Sequence, residues 1–350
     1  MRPFASLLVQ AFQAAPSADN SQPYMCKRHG KTLEISYDHK RVAGVTFPPD
    51  NQATLLSLGG IVENIAQLCE CAGESIGIHF QKPEQGNPSV ILDIPEETAF
   101  SSQPDDMAIF QRHTNRFAYK KDPLPENILA SLPSLATGNT RISAFTDSAA
   151  KKDIWKLVRS ASEIRFQTRE VHEWLGKSLR FDDAEVNQGD GLDLRTLDLP
   201  PGGGLIMRFI ASWKRMSILN AIGAYKLLSF IDAAPVRAAP GIVAIIGEQG
   251  SEGAMAAGRT LVKAWSELNA RGIAVHPYYV VSDQLVRLEN NVIPEALVDQ
   301  AKHLASASDS VFSLGKGETL YMILRIGYPG KVAPRSKRLP EKTVFHDLAS

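Results

Sequence analysis

Over residues 5–14 the apolar positions Leu7, Leu8 and Phe12 fall at helical spacing, and Pro16 closes the pattern. The period then changes. Residues 24–27 and 32–37 read as two strands, with His29-Gly30-Lys31 as the turn between them. Helical spacing returns over 55–71 and is stopped by Gly73. The apolar, β-branched run 89–94 predicts a buried strand. Past residue 110, helical stretches are expected at 153–165 and 170–179, followed by a break at Pro200-Pro201-Gly202-Gly203-Gly204 and a mixed helical segment over 205–234. A buried strand at 241–246, a helix at 253–270, an extended segment at 273–281, a strand at 320–327 and a basic tail complete the pattern.

One similarity runs between the two ends of that pattern. Residues 59–73 followed by Ile76-Gly77-Ile78-His79-Phe80 parallel residues 258–272 followed by Ile273-Ala274-Val275-His276-Pro277. In each, a glycine opens a helix, another glycine ends it, and a short apolar extended segment follows. Helix–glycine–strand units are common, so this repeat carries weight only together with other signals.

Composition narrows the class. The chain has 350 residues, 44% hydrophobic and 22% charged, enough for one large core or two modest ones. Its 38 basic residues balance 38 acidic ones, so no whole-molecule field attracts nucleic acid or an anionic membrane, and neither is expected as a partner. Cys26, Cys69 and Cys71 form no disulfide framework, and Cys69 and Cys71 point to different faces of one predicted helix, so no metal site is expected. No apolar run has the length of a bilayer span. The first 18 residues superficially resemble a secretory signal, but Gln10 and Gln13 interrupt the apolar stretch. An amphipathic helix and a cytoplasmic protein are the expectation.

Two short motifs carry candidate chemistry. In Arg112-His113-Thr114-Asn115-Arg116-Phe117, an extended backbone sends Arg112, Thr114 and Arg116 to one side, which would place two guanidinium forks around a hydroxyl. That set suits a phosphomonoester, although arginines four apart also occur on any solvated face. In Ala15-Pro16-Ser17-Ala18-Asp19-Asn20-Ser21-Gln22-Pro23-Tyr24, prolines stiffen a loop of short polar side chains. Asn20 and Gln22 each donate and accept, which suits the polar edge of a planar heterocycle, and the same loop also fits a simple helix terminator. A basic cluster, Lys331, Arg335, Lys337 and Arg338, precedes Leu339-Pro340. No Gly-x-Ser-x-Gly, His-Glu-x-x-His, Walker-type or dinucleotide Gly-x-Gly-x-x-Gly motif occurs.

Taken together, these motifs resemble the nitroreductase family, and the chain is similar to the fused, two-halved, single-chain Acg-like branch of it. That resemblance implies an α+β fold in which an antiparallel sheet is wrapped by helices and duplicated as an intramolecular pseudo-dimer. It implies a first half over 1–105 and a second over 106–350, with a lid-like insertion at about 197–240. It also implies one FMN, with the phosphate held by Arg112, Thr114 and Arg116. Arg338 is the best match for a further phosphate cation, with Ser336 beside it and Arg335 in reserve. Pro16, Ser17, Asn20 and Gln22 would meet the ring, as would a backbone segment at Pro277, Tyr278 and Tyr279. The symmetry-related second site lacks a wall on each side. Pro133-Ser134 and Asn139 recur without the Asn-x-Gln-Pro sequel, and only Arg2 precedes the first loop.

The activity so implied is hydride transfer from NAD(P)H through FMN to a small acceptor, with no catalytic side chain, in a monomer of two halves or a weak homodimer. A flavin-storing protein with the lid shut is the competing expectation. An interaction module with a decayed flavin pocket is a third.

Overall fold

The computed structural model describes residues 3–42, 44–82, 87–98, 100 and 106–348. The expected junction of the halves at 105 lies outside the described residues. The first part contains α1 (Phe4–Ala14), β1 (Tyr24–His29), β2 (Thr32–Tyr37), α2 (His39–Val42), α3 (Gln52–Cys71), β3 (Gly77–Gln81) and β4 (Ser89–Asp93). Then follow α4 (Ala108–Gln111), α5 (Glu126–Ser131), β5 (Thr140–Phe145), α6 (Ser148–Gln167), α7 (Arg169–Ser178), β6 (Leu179–Arg180), α8 (Asp183–Val186) and β7 (Leu192–Asp193). Three helices, α9 (Gly203–Ile210), α10 (Trp213–Ala221) and α11 (Ala224–Ala238), lead to β8 (Gly241–Glu248). The chain closes with α12 (Ser251–Ala270), β9 (Ala274–Tyr278), α13 (Val280–Glu289), α14 (Val298–Phe312), β10 (Glu318–Gly327), α15 (Glu341–Val344) and β11 (Phe345–Asp347).

Two main sheets result, ordered β11-β1-β2-β4-β3 and β5-β8-β10-β9. Without β11 they share one order, and every neighbouring pair in both is antiparallel. The C-terminal strand β11 joins the first sheet by pairing parallel to β1, so the end of the chain returns to its beginning. Between β5 and β8 the second sheet carries the long excursion 146–240, where the first has only the turn at Gly30, whose φ is 56°.

Burial follows the alternation in the sequence. β2 alternates half-buried and buried residues because α1 and α3 cover one face only, and Ile91 on β4 is exposed on the other. β8 is buried at its first seven positions because helices cover both faces, α12 on one side and α6, α11, α13 and α14 on the other.

Helices α3 and α12 cross through glycines. A Cβ on Gly59 would stand 2.2 Å from the Met255 carbonyl oxygen, and one on Gly258 would stand 2.2 Å from that of Leu56. The contact is reciprocal, since each glycine meets the residue three positions before the other. The crossing also buries Glu63, which accepts from Arg259 Nε at 2.9 Å and faces Lys263 Nζ at 3.6 Å. Gly60 leaves room for Pro16, whose Cδ would lie 3.2 Å from a Cβ there.

The expected extended segment over 273–281 is shorter in the structure. β9 stops at Tyr278, and Val280 and Val281 open α13, because Val281 and Leu285 bury on the core side of a helix rather than on a strand. No helix among the described residues is long and apolar enough to cross a membrane. Among the same residues, no group of three metal-ligating side chains stands together.

Candidate functional site

The polar loop after α1 is the most strained backbone in the described chain. Asp19, Asn20 and Gln22 have φ of 49°, 56° and 48°, three of the five non-glycine residues found at positive φ. Such conformations cost energy and persist only where the surroundings enforce them. Ser17 Oγ accepts from the Gln22 amide at 2.9 Å and folds the loop on itself.

Next to it lies a group of cations with no counter-charge. Arg112 and Arg338 both donate to the carbonyl oxygen of Ala14, and Arg338 Nη1 also donates to Asn20 Oδ1 at 2.6 Å. Arg335 donates to the carbonyls of Phe110 and Gln111. Arg112 is buried, stacks 4.5 Å from the Trp265 ring centroid, and leaves its Nε without a partner. Burial first, then the charges of Arg338 and Arg335, press Arg112 down to about 9, and burial presses Arg338 to about 10. Among the described residues no carboxylate stands within 4.0 Å of Arg112, Arg116, Arg335 or Arg338. Two guanidiniums aimed at one neutral oxygen repel each other, and an anion between them would relieve that repulsion.

Arg116 belongs to a second group. Its Nη1 donates to Thr196 Oγ1 at 3.4 Å. Burial lowers its pKa, and the charge of Asp19 is the strongest influence in its favour. The same burial raises Asp19, against the pull of Arg116 and Arg165. The expected pair of guanidiniums around the Thr114 hydroxyl is therefore split: Arg112 meets Arg338 at the Ala14 carbonyl, and Arg116 reaches Thr196 within the field of Asp19. The reason is that residues 112–116 do not run as one regular strand. Only Thr114 pairs with a strand, in an isolated bridge to Val275, and Asn115 turns inward to donate to the Lys331 carbonyl at 3.0 Å.

The segment at Pro277, Tyr278 and Tyr279 lies at the end of β9, registered against Leu324 and Ile323 of β10. Tyr278 donates to the Asp232 carbonyl at 3.2 Å, and Tyr279 packs edge-on against Phe47. His276 is held neutral by burial and by the charges of Arg116 and Arg325, with its ring 4.4 Å from that of Tyr278. Ser336 is half-buried beside the cluster. Sequence reasoning missed Trp265 and Asn269, which fix the motif by bonding to the His113 carbonyl and amide. Their helical spacing from Gly258 was the available signal.

The amides of the polar loop are taken up by the chain itself. Asn20 Nδ2 donates to the carbonyls of Gly191 and Lys337, and Gln22 Nε2 donates to that of Gly189 at 2.9 Å. The segment lying on the loop is therefore 187–191, upstream of the 197–240 stretch that the sequence singles out. The phosphate-side residues fit FMN, because Arg112 has an unpartnered buried Nε and an uncompensated charge. The tail holds the same amides, since Asn20 Oδ1 accepts from Arg338 and Gln22 Oε1 accepts from the Leu339 amide, so they could meet a flavin only when both these contacts and those to 187–191 open.

No protein-family model matches the chain, and no curated protein is similar to it. Solved structures do resemble parts of it. A nitroreductase from Bacteroides fragilis with bound FMN aligns at a TM-score of 0.36 and 10% identity, over 65% of this chain and 90% of that one. The FMN-dependent nitroreductase NfnB of Mycobacterium smegmatis, in complex with NADPH, aligns at 0.38 and 15%, over 67% and 94%. Iodotyrosine deiodinase bound to FMN and 3-iodo-L-tyrosine aligns at 0.36 and 12%, over 67% and 94%. At scores this low the correspondence is loose, and the site's own geometry carries the functional reading.

Proposed function

We propose that the chain is an FMN-binding oxidoreductase of nitroreductase type, built as an intramolecular pseudo-dimer, that passes hydride from NAD(P)H to a small acceptor. The duplication is supported by the common strand order of the two sheets and by the reciprocal Gly59–Met255 and Gly258–Leu56 contacts about the helix crossing. In that arrangement Pro133-Ser134, just before β5, occupies the place that Pro16-Ser17 holds before β1. The halves meet at about 105, and the insertion includes 197–240.

The observation that carries the reading is the uncompensated pair of buried Arg112 and half-buried Arg338 beside a loop strained at Asp19, Asn20 and Gln22. The cofactor, when bound, supplies the hydride-carrying chemistry. The chain's own residues bind and orient. Arg112 and Arg338, with Arg335 and Ser336 at the rim, hold the phosphate. Arg116, bonded to Thr196 and facing the charge of Asp19, and the Thr114 hydroxyl would line the site away from the phosphate, and Asn20 and Gln22 offer amides to the ring edge. Pro16 and Ser17 set the loop, and the 277–279 backbone forms the opposite wall. His276, kept neutral, adds no charge beside it.

The test is the visible spectrum of the purified protein and identification of the flavin released on denaturation. The Arg112→Ala, Arg338→Ala double variant should be folded and colourless. A yellow double variant overturns the assignment.

A second reading has its own observation. The bonds from Asn20 and Gln22 to Gly191 and Gly189 cover the loop, as a protein that stores or sequesters FMN without turnover requires. Mixing the yellow protein with NADPH in stopped flow separates the two, since only the oxidoreductase bleaches.

A further inference from the structure

Eight of the fourteen exposed large apolar side chains among the described residues lie in one stretch, 203–238, which forms α9, α10 and α11. Leu205 is 77% exposed, Ile222 83% and Leu227 63%. These are not the residues that hold the helices in place. Met207, Ile210, Trp213, Met216 and Leu228 turn inward to form a small core with Phe166. The three helices are thus apolar on the inner side and again on the outer side, a pattern that calls for a second apolar environment.

Charge says what that environment is. The exposed charges of the stretch are Arg208, Lys214, Arg215, Lys226 and Arg237, and its one acid, Asp232, is only partly exposed and engaged by Arg165 and Ser162. A chain with balanced overall charge therefore gathers five cations, without an exposed acid, onto its most apolar surface. Protein–protein interfaces tolerate arginine but are depleted of lysine, which this face carries at Lys214 and Lys226, whereas outward apolar side chains interleaved with lysine and arginine suit the boundary of an anionic bilayer. A second feature adjoins this face. An open cavity of about 520 Å³ is lined by Lys121, Lys151 and Arg237 together with Trp155 and Phe230, and no acid lines it. Phe230 belongs to the exposed apolar set, so the cationic cavity and the apolar face are continuous.

We propose that the outer face of α9–α11 docks on an anionic phospholipid surface. Leu205, Ile222 and Leu227 enter the acyl boundary, and the Lys121–Lys151–Arg237 cavity receives a lipid phosphate. This departs from the expectation of no membrane partner, which rested on whole-chain charge and on the absence of a spanning segment. Docking requires neither a net charge nor a span.

The test is co-sedimentation of the full chain with vesicles of phosphatidylcholine alone and of phosphatidylcholine doped with phosphatidylglycerol. Binding is expected only to the doped vesicles and weakens with added salt. Lys214→Glu with Lys226→Glu should weaken it at least about twentyfold, at roughly fivefold per cation lost. Leu205→Gln with Ile222→Gln and Leu227→Gln should abolish it, and neither variant should change the melting temperature or flavin content. The proposal is overturned if wild-type protein ignores phosphatidylglycerol or if the lysine variant binds as well as wild type. It is equally overturned if the glutamine variant merely splits a stable dimer that never sedimented with lipid.

Discussion

Replacing Arg112 with methionine keeps most of the side chain's volume and removes its charge, and the structure sets the sign of the result. Arg112 is held at about 9, well below the usual arginine range, by burial and by the charges of Arg338 and Arg335. At about 1.4 kcal/mol for each factor of ten, the unfavourable field amounts to at most about 5 kcal/mol when no anion is present. Against this, methionine forgoes the bond to the Ala14 carbonyl, about 1 to 1.5 kcal/mol, and the stacking on Trp265, about 1 to 2 kcal/mol. The flavin-free variant is therefore expected to be more stable than wild type by about 1–3 kcal/mol, a rise in melting temperature of about 1–4 °C for a chain of this length.

With ligand the order reverses. A guanidinium–phosphate contact is worth about 1.5–3 kcal/mol, so the preference of wild type for FMN over riboflavin should shrink about 10- to 100-fold in Arg112→Met. Thermal melts of the flavin-free proteins and fluorescence titrations with FMN and riboflavin measure both halves. An Arg112→Met protein that melts several degrees below wild type would show that the arginine serves the fold, and an unchanged preference for FMN would place the phosphate elsewhere.

At the helix crossing, Gly59→Ala and Gly258→Ala should each cost about 2–4 kcal/mol in urea unfolding, because the added methyl meets a backbone carbonyl at 2.2 Å; costs below about 1 kcal/mol, or widely unequal ones, would argue against a reciprocal crossing. Asp283 is raised to about 6 by burial, above its ordinary 3.8. The native state keeps a proton that the unfolded chain has released, so stability falls as pH climbs from about 4 to about 6. Asp283→Asn removes that fall and should gain about 3 kcal/mol over wild type at neutral pH and nothing below about pH 4, which paired urea titrations check. Gly189 has φ of 86° and would set a Cβ 2.4 Å from the Arg338 carbonyl oxygen, so Gly189→Val should unseat 187–191 from Gln22. Flavin reduction by NADPH in stopped flow should then accelerate about tenfold or more, and an unchanged rate would mean that this segment does not gate access.

The chain's local chemistry made much of this molecule legible. The helix at α1, the hairpin of β1 and β2, the long α3 with Gly73 at φ of 79° behind it, and the buried β8 all follow from periodicity and from turn residues acting within a few positions. The polar loop, the two arginines and the basic tail could be named because each is a short run of unusual composition. Less legible were β5, α14 and β11. β5 is a half-exposed edge strand, α14 has a weak apolar stripe, and β11 is three residues long and exists only by pairing with β1.

What sequence alone determined is therefore the set of elements and the candidate groups, since backbone preference and side-chain period act over one or two turns of chain. Which groups meet was decided by the tertiary structure. Arg112 found Arg338 rather than Arg116, because the 112–116 segment bends around Asn115 and the tail returns along α1 to place Arg338 on the Ala14 carbonyl. Residues 187–191, not 197–240, came to rest on Gln22, because the excursion between β5 and β8 folds back over the loop. Such meetings join residues more than a hundred positions apart, and nothing in the local pattern encodes the packing that brings them together.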